Sequence, residues 1–290
     1  MTVLVFLDPD HENGRVADAS KPQLMATDQG VTRGDGIFET MLAVDGTPRK
    51  LSAHLARLAA SAEAMDLVIP PAPAWERAIA TALAEHPPAT ELVVRLLVTR
   101  GVEGAGTPTA WVQASAPGTS GRQQRETGIE VLLLDRGYDS SVAERAPWLL
   151  LGAKTLSYAV NMAALRYAKK QGADDVIFTS SDGRVLEGPT STVLIATVRD
   201  GVKTLTTPLL ESGVLPGTSQ GALFKTAAEA GWHLGYGPLE PHDLFEADAV
   251  WLVSSIRLMA PVRSIDGKEI PVSRELTEEL TALLVKGSRD

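Results

Sequence analysis

The sequence predicts a mixed α/β (α+β) fold in two domains, on three observations. A chain of 290 residues is long enough for two ordinary hydrophobic cores. Short β-patterned runs alternate with segments whose apolar residues recur at helical spacing. Between them, residues 115–128 contain Ala-Pro-Gly-Thr-Ser-Gly-Arg-Gln-Gln-Arg, a stretch rich in loop formers and poor in apolar side chains. The expected division is therefore a domain over 1–114, a linker over 115–128 and a larger domain over 129–290.

In chain order, residues 3–7 (Val-Leu-Val-Phe-Leu) read as a short buried strand, followed by a turn-rich Asp-Pro-Asp-His-Glu-Asn-Gly. Gly34-Asp35-Gly36 then opens a strand from Ile37, the glycines marking a tight bend or a close backbone approach. Leu51, Leu55, Leu58, Ala62 and Met65 define a helix face; Arg57 lies off it and on its own reads as solvated. A second helix is expected over 75–85, ended by His86-Pro-Pro, and strands over 91–100 and 109–114.

Beyond the linker, 129–134 reads as a strand and 158–170 as a helix. Residues 175–179 and 192–196 read as a hairpin pair across Ser181-Asp182-Gly183. Leu215-Pro-Gly-Thr218-Ser219 leads into a helix over 220–230. Residues 249–253 form a strand that runs into Ser254-Ser255. Each Ser/Thr cluster is ordinary capping chemistry, and the same N–H and hydroxyl groups suit an anion.

Composition excludes several classes. Hydrophobic residues make up 44% and charged residues 22%, as in a globular protein, and no apolar run reaches the ~20 residues a membrane helix needs. A formal charge of −9 argues against a nucleic-acid or membrane-surface binder. With no cysteine, and five histidines at spacings that suit no zinc site, no metal is expected. Met1 to Leu7 lacks the features of a signal peptide, so a cytoplasmic location is expected.

One lysine stands apart. Lys154 closes the apolar run Ala-Pro-Trp-Leu-Leu-Leu-Gly-Ala and precedes an amphipathic pattern. Apolar surroundings and a helix N-terminus both disfavour an ammonium there, and a neutral amine can form a Schiff base. Glu187, near buried strand ends, needs a partner.

Taken in order, Gly34-Asp35-Gly36 with Phe38-Glu39, His54-Leu-Ala-Arg57-Leu58, Lys154, Glu187-Gly188, Leu215-Pro216-Gly217-Thr218, and Ser254-Ser255 ahead of Ala260-Pro261-Val262 form a set. The set resembles the fold-type IV pyridoxal-phosphate enzymes, which include branched-chain aminotransferases, D-amino-acid aminotransferases and aminodeoxychorismate lyases. The resemblance implies a small N-terminal α/β sandwich domain, a larger C-terminal pseudo-barrel domain, a homodimer and pyridoxal 5'-phosphate at the domain interface. It implies that Lys154 carries the cofactor and moves the substrate proton, that Glu187 faces the pyridine nitrogen and that Tyr158 donates to the ring hydroxyl. Arg57, Thr218, Ser219 and Ser255 are implied to hold the phosphate.

Phe38, Arg33, Arg100 and Arg257 are the candidates for the small-molecule amine substrate, the arginines for its carboxylates. Residues 101–107 lack the Arg-x-His pair of D-amino-acid aminotransferases, and Ala-Lys-Thr-Leu-Ser-Tyr is similar to aminodeoxychorismate lyases. A lyase is therefore the first expectation. An aminotransferase acting on D-amino acids or branched-chain amino acids comes second, and a non-catalytic cofactor-binding protein third.

Overall fold

The computed structural model describes residues 1–289. They fall into two compact units: Met1–Gly118 with Ala153–Tyr158, and Thr119–Gly152 with the chain from Ala159 on. The six residues around Lys154 thus belong with the first unit.

In the first unit, β1 (Thr2–Phe6), β2 (Arg15–Ala17), β3 (Gly36–Val44), β4 (Thr47–Pro48), β5 (Glu91–Thr99) and β6 (Thr109–Ser115) form one sheet in the order β2-β1-β6-β5-β3-β4. Its long central ladder runs from Gly36↔Thr99 to Val44↔Glu91. Helices α1 (Gln29–Thr32), α2 (Leu51–Ala64) and α3 (Ala72–Glu85) accompany it. The periodicity read from the sequence is the packing: Leu55, Leu58 and Ala62 of α2, with Trp75, Ala78, Ile79 and Ala82 of α3, are buried in one cluster with Val5, Ile37, Met41, Leu96 and Val98. Each such large apolar side chain contributes about 1.5–3 kcal/mol by leaving water. Helix α3 begins a turn before the expected Trp75 because proline is tolerated in a first turn, where its missing N–H is no loss.

The second unit holds α4 (Ser120–Thr127), β7 (Ile129–Asp135), α5 (Val142–Arg145), α6 (Ala159–Lys170), β8 (Asp175–Thr179), β9 (Thr192–Arg199), β10 (Val202–Pro208), α7 (Thr218–Glu229), β11 (His233–Gly237), α8 (Pro241–Glu246), β12 (Ala249–Ser254), β13 (Leu258–Ile265), β14 (Lys268–Glu269) and α9 (Arg274–Gly287). The sheet order is β11-β10-β9-β12-β13-β7-β8, with β14 on β13. Helices α7 and α9 cover it with Leu223, Phe224, Leu280 and Leu284, packed with Leu194, Leu205 and Trp251. The two sheets with their helices give the expected mixed α/β class.

Three local expectations are corrected. Strands β8 and β9 are not a hairpin: β8 pairs in parallel with β7, and β9 lies between β10 and β12. The connection folds back on β8 instead, with Phe178 N–H donating to Glu187 O and Leu186 N–H to Phe178 O, so its own backbone takes the place of the second strand. Within the loop-like 115–128, residues Ser120–Thr127 are helical. The apolar run before Lys154 is not uniformly buried: it holds a short 3-10 turn, Pro147–Leu149, whose Trp148 is 74% exposed.

Candidate active site

In the first unit the chain around Lys154 is tied to the start of β3. Phe38 N–H donates to Lys154 O at 3.0 Å and Leu156 N–H to Gly36 O at 2.7 Å, with a bridge between Ile37 and Thr155. Lys154 N–H donates to the buried Ser61 Oγ of α2 at 3.0 Å. Only glycine fits at 36, because a Cβ there would lie 2.3 Å from Val98 O. This backbone frame sets the side chain: Nζ lies 4.4 Å from the centre of the Phe38 ring and 5.4 Å from that of Tyr158, the rings meeting edge to face at 5.2 Å. Aromatic faces attract an ammonium, so the surroundings are less uniformly hostile to charge than the apolar run implies. Phe38, Lys154 and Tyr158, named from sequence, therefore share one locus.

Arg57 is not a solvated residue. Its side chain is 13% exposed and grips Glu39 of β3 through two hydrogen bonds, Nε to Oε1 at 2.6 Å and NH2 to Oε2 at 2.9 Å. His54, one turn earlier on α2, meets Glu39 Oε2 through Nδ1 at 2.7 Å, and both side chains are fully buried. Burial alone would raise the Glu39 pKa. The hydrogen bonds from Arg57 and His54, with the guanidinium charge, outweigh it and hold Glu39 down to about 2. Burial pushes His54 below its usual value against the pull of Glu39, so the ring is neutral at pH 7. An ionised carboxylate only accepts, and Nδ1 therefore carries the hydrogen. Lys50, buried in a left-handed conformation just before α2, is pushed down to about 8 by burial and by the charge of Arg57.

In the second unit Gly217 caps α7 without a side chain, and Thr218 Oγ1 and Ser219 Oγ lie 3.2 and 3.5 Å from Ser255 Oγ, just beyond the end of β12. A Cβ at Gly217 would fall 2.4 Å from Thr192 Oγ1. Three hydroxyls thus converge where the first backbone N–H groups of a helix emerge, a donor set suited to a phosphate. Glu187 accepts from Leu215 N–H at 3.3 Å. It lines a small recess with Arg136, Tyr138, Asn161, Phe178 and Val214.

The remaining arginines are placed as follows. Arg33 pairs with Glu103 at 3.2 Å and keeps 60% of its side chain exposed. Arg100 donates to Asp35 at 2.8 Å and to the carbonyls of Met65 and Asp66. Arg257, 13% exposed, pairs with the fully buried Asp175 at 2.5 Å, and its NH1 is buried with no hydrogen-bond partner among the described residues. Sequence reasoning named neither Glu39 nor His54 as site residues. The signal was present in His54 and Arg57, three apart on one helix, but the strand register that brings Glu39 beneath them is a tertiary fact. Among the described residues no cluster of side chains suits a metal, and no helix is long and apolar enough to cross a membrane.

Residues 36–265 match the family model of amino-transferase class IV. The chain is 45% identical over 264 residues to a bifunctional aminodeoxychorismate lyase / D-amino acid transaminase of Mycobacterium tuberculosis, covering 89% of this chain and 91% of that one. A hypothetical aminotransferase from Mycobacterium tuberculosis in its PLP-bound form superposes with a TM-score of 0.92 at 42% identity, over 99% of this chain and 98% of the other. A fold IV-transaminase from Curtobacterium pusillum gives 0.90 at 44% identity, over 98% and 99%.

Proposed function

We propose, from the premise that the chain belongs to the class IV aminotransferase family and is a PLP-dependent enzyme, that its reaction is the removal of pyruvate from 4-amino-4-deoxychorismate to give 4-aminobenzoate for folate synthesis. The observation that carries this reading is the 45% identity, along nine-tenths of the chain, to a relative named for that lyase activity. The donor sets described above fit the cofactor, with converging hydroxyls at a helix start for its phosphate and a carboxylate for its ring nitrogen.

When bound, PLP supplies an aldehyde for the substrate amine and a ring that accepts electrons. Lys154 then acts as the base, taking the proton from the ring carbon that bears the amine while the enolpyruvyl group departs. Phe38 and Tyr158 fix the approach of its Nζ, and Tyr158 donates to the cofactor hydroxyl. Glu187, through its negative charge, keeps the pyridine nitrogen protonated. Thr218, Ser219, Ser255 and Arg57 bind the phosphate. For the two substrate carboxylates, Arg33 has the most open guanidinium and Arg257 a buried N–H in need of an acceptor, whereas Arg100 holds the Gly34–Gly36 bend through Asp35. The reading extends to a cytoplasmic homodimer, as the resemblance implies.

A second reading, transamination of D-amino acids, is favoured by the second activity in that relative's name. Purified protein given aminodeoxychorismate is expected to release pyruvate and 4-aminobenzoate, and Lys154→Ala to abolish this with the fold intact. Glutamate from D-alanine and 2-oxoglutarate, with no 4-aminobenzoate from the first substrate, would replace the lyase by a transaminase.

A further inference from the structure

We infer that Glu39 and His54 are positioning residues that aim Arg57 at the cofactor phosphate, an inference that rests on the reading that Arg57 meets that phosphate. The geometry is specific. Glu39 is fully buried and engages one edge of the guanidinium, through Nε at 2.6 Å and NH2 at 2.9 Å. The donors directed away from Glu39 are then the NH1 hydrogens and the outer hydrogen of NH2, so the carboxylate decides which edge an anion meets. His54 Nδ1, at 2.7 Å, holds Glu39 Oε2 from a third direction and fixes the carboxylate plane. Because β3 carries Glu39 and Phe38 side by side, and Lys154 O binds Phe38 N–H, the backbone that aims the guanidinium also carries the lysine.

The test compares the affinity of the apo full-length chain for pyridoxal 5'-phosphate with its affinity for pyridoxal, which lacks the phosphate, by equilibrium titration of cofactor absorbance. The ratio isolates the phosphate grip. Glu39→Gln is expected to lower the ratio by about tenfold, the size of one lost charge-assisted hydrogen bond, while leaving pyridoxal affinity unchanged. In an Arg57→Gln background it is expected to add nothing further. Equal losses for both ligands, or an unchanged ratio in Glu39→Gln while Arg57→Gln collapses it, would overturn the positioning role. An unchanged ratio in Arg57→Gln would instead remove the phosphate reading itself, and the inference with it. Should Glu39→Gln not fold, His54→Gln withdraws one hydrogen bond from the same carboxylate. It is expected to lower the ratio in the same direction by less; an unchanged ratio there would overturn the proposal.

Discussion

Each unit buries one carboxylate against one arginine, and the two pairs differ in how completely they are satisfied. Both arginine side chains are 13% exposed and both carboxylates fully buried. Glu39 receives three side-chain hydrogen bonds, two from Arg57 and one from His54. Asp175 receives one from Arg257 and one from the backbone of Val176, and Arg257 NH1 is buried with no acceptor among the described residues. An unsatisfied buried donor costs about 1–3 kcal/mol. The first pair is a network that orients one group, whereas the second retains a buried donor with no acceptor among the described residues.

The largest expected effect comes from breaking the first network. Glu39→Leu removes the buried carboxylate that Arg57 and His54 share, and should lower unfolding stability by about 4 kcal/mol, measured by urea denaturation at pH 7. A loss under 1 kcal/mol would mean that water reaches the cluster.

Acid sharpens the same point. The Glu39 carboxylate, lowered from 4.5 to about 2, contributes stability that is fully present above about pH 4.5 and is lost as pH falls towards 2. It amounts to on the order of 3 kcal/mol. Denaturation between pH 3 and 6 should show a shallower acid slope in Glu39→Gln than in the wild type, and identical slopes would refute the assignment.

The smallest effect on stability belongs to the second pair. Replacing Asp175 and Arg257 together, by Leu and Met, removes a half-satisfied ion pair and should leave stability within about 1 kcal/mol of the wild type or above it. If Arg257 meets a substrate carboxylate, KM for aminodeoxychorismate should nonetheless rise about tenfold. An unchanged KM would leave Arg257 with its tie to Asp175 alone.

Much of this was legible in the chain. The periodicity of residues 51–65 locates α2 and therefore Arg57, and Gly36 marks the close approach to Val98. The ordered motifs lead to the family. The partners were not legible. Strand β8 is buried along nearly its whole length, so it lacks the alternation that would reveal which neighbour faces it, and its expected hairpin partner was wrong. Glu39 read as one letter of a motif because its tie to His54 and Arg57 spans 15 and 18 residues. Arg257 was named as a candidate for a substrate carboxylate, while Asp175, 82 positions away, gave no sign of being its counter-ion. Helix α4 was hidden by composition, its sequence Ser-Gly-Arg-Gln-Gln-Arg-Glu-Thr holding no large apolar residue to mark a face.

The account centres on Lys154 as the lysine that carries the cofactor, and the chain contains a competitor. Lys50 is buried, with its amine lowered to about 8. Borohydride reduction of the PLP-loaded protein, followed by peptide mass spectrometry, decides between them. The account predicts a single pyridoxyl group on the peptide containing Lys154; the label on Lys50, or on no lysine, would contradict it.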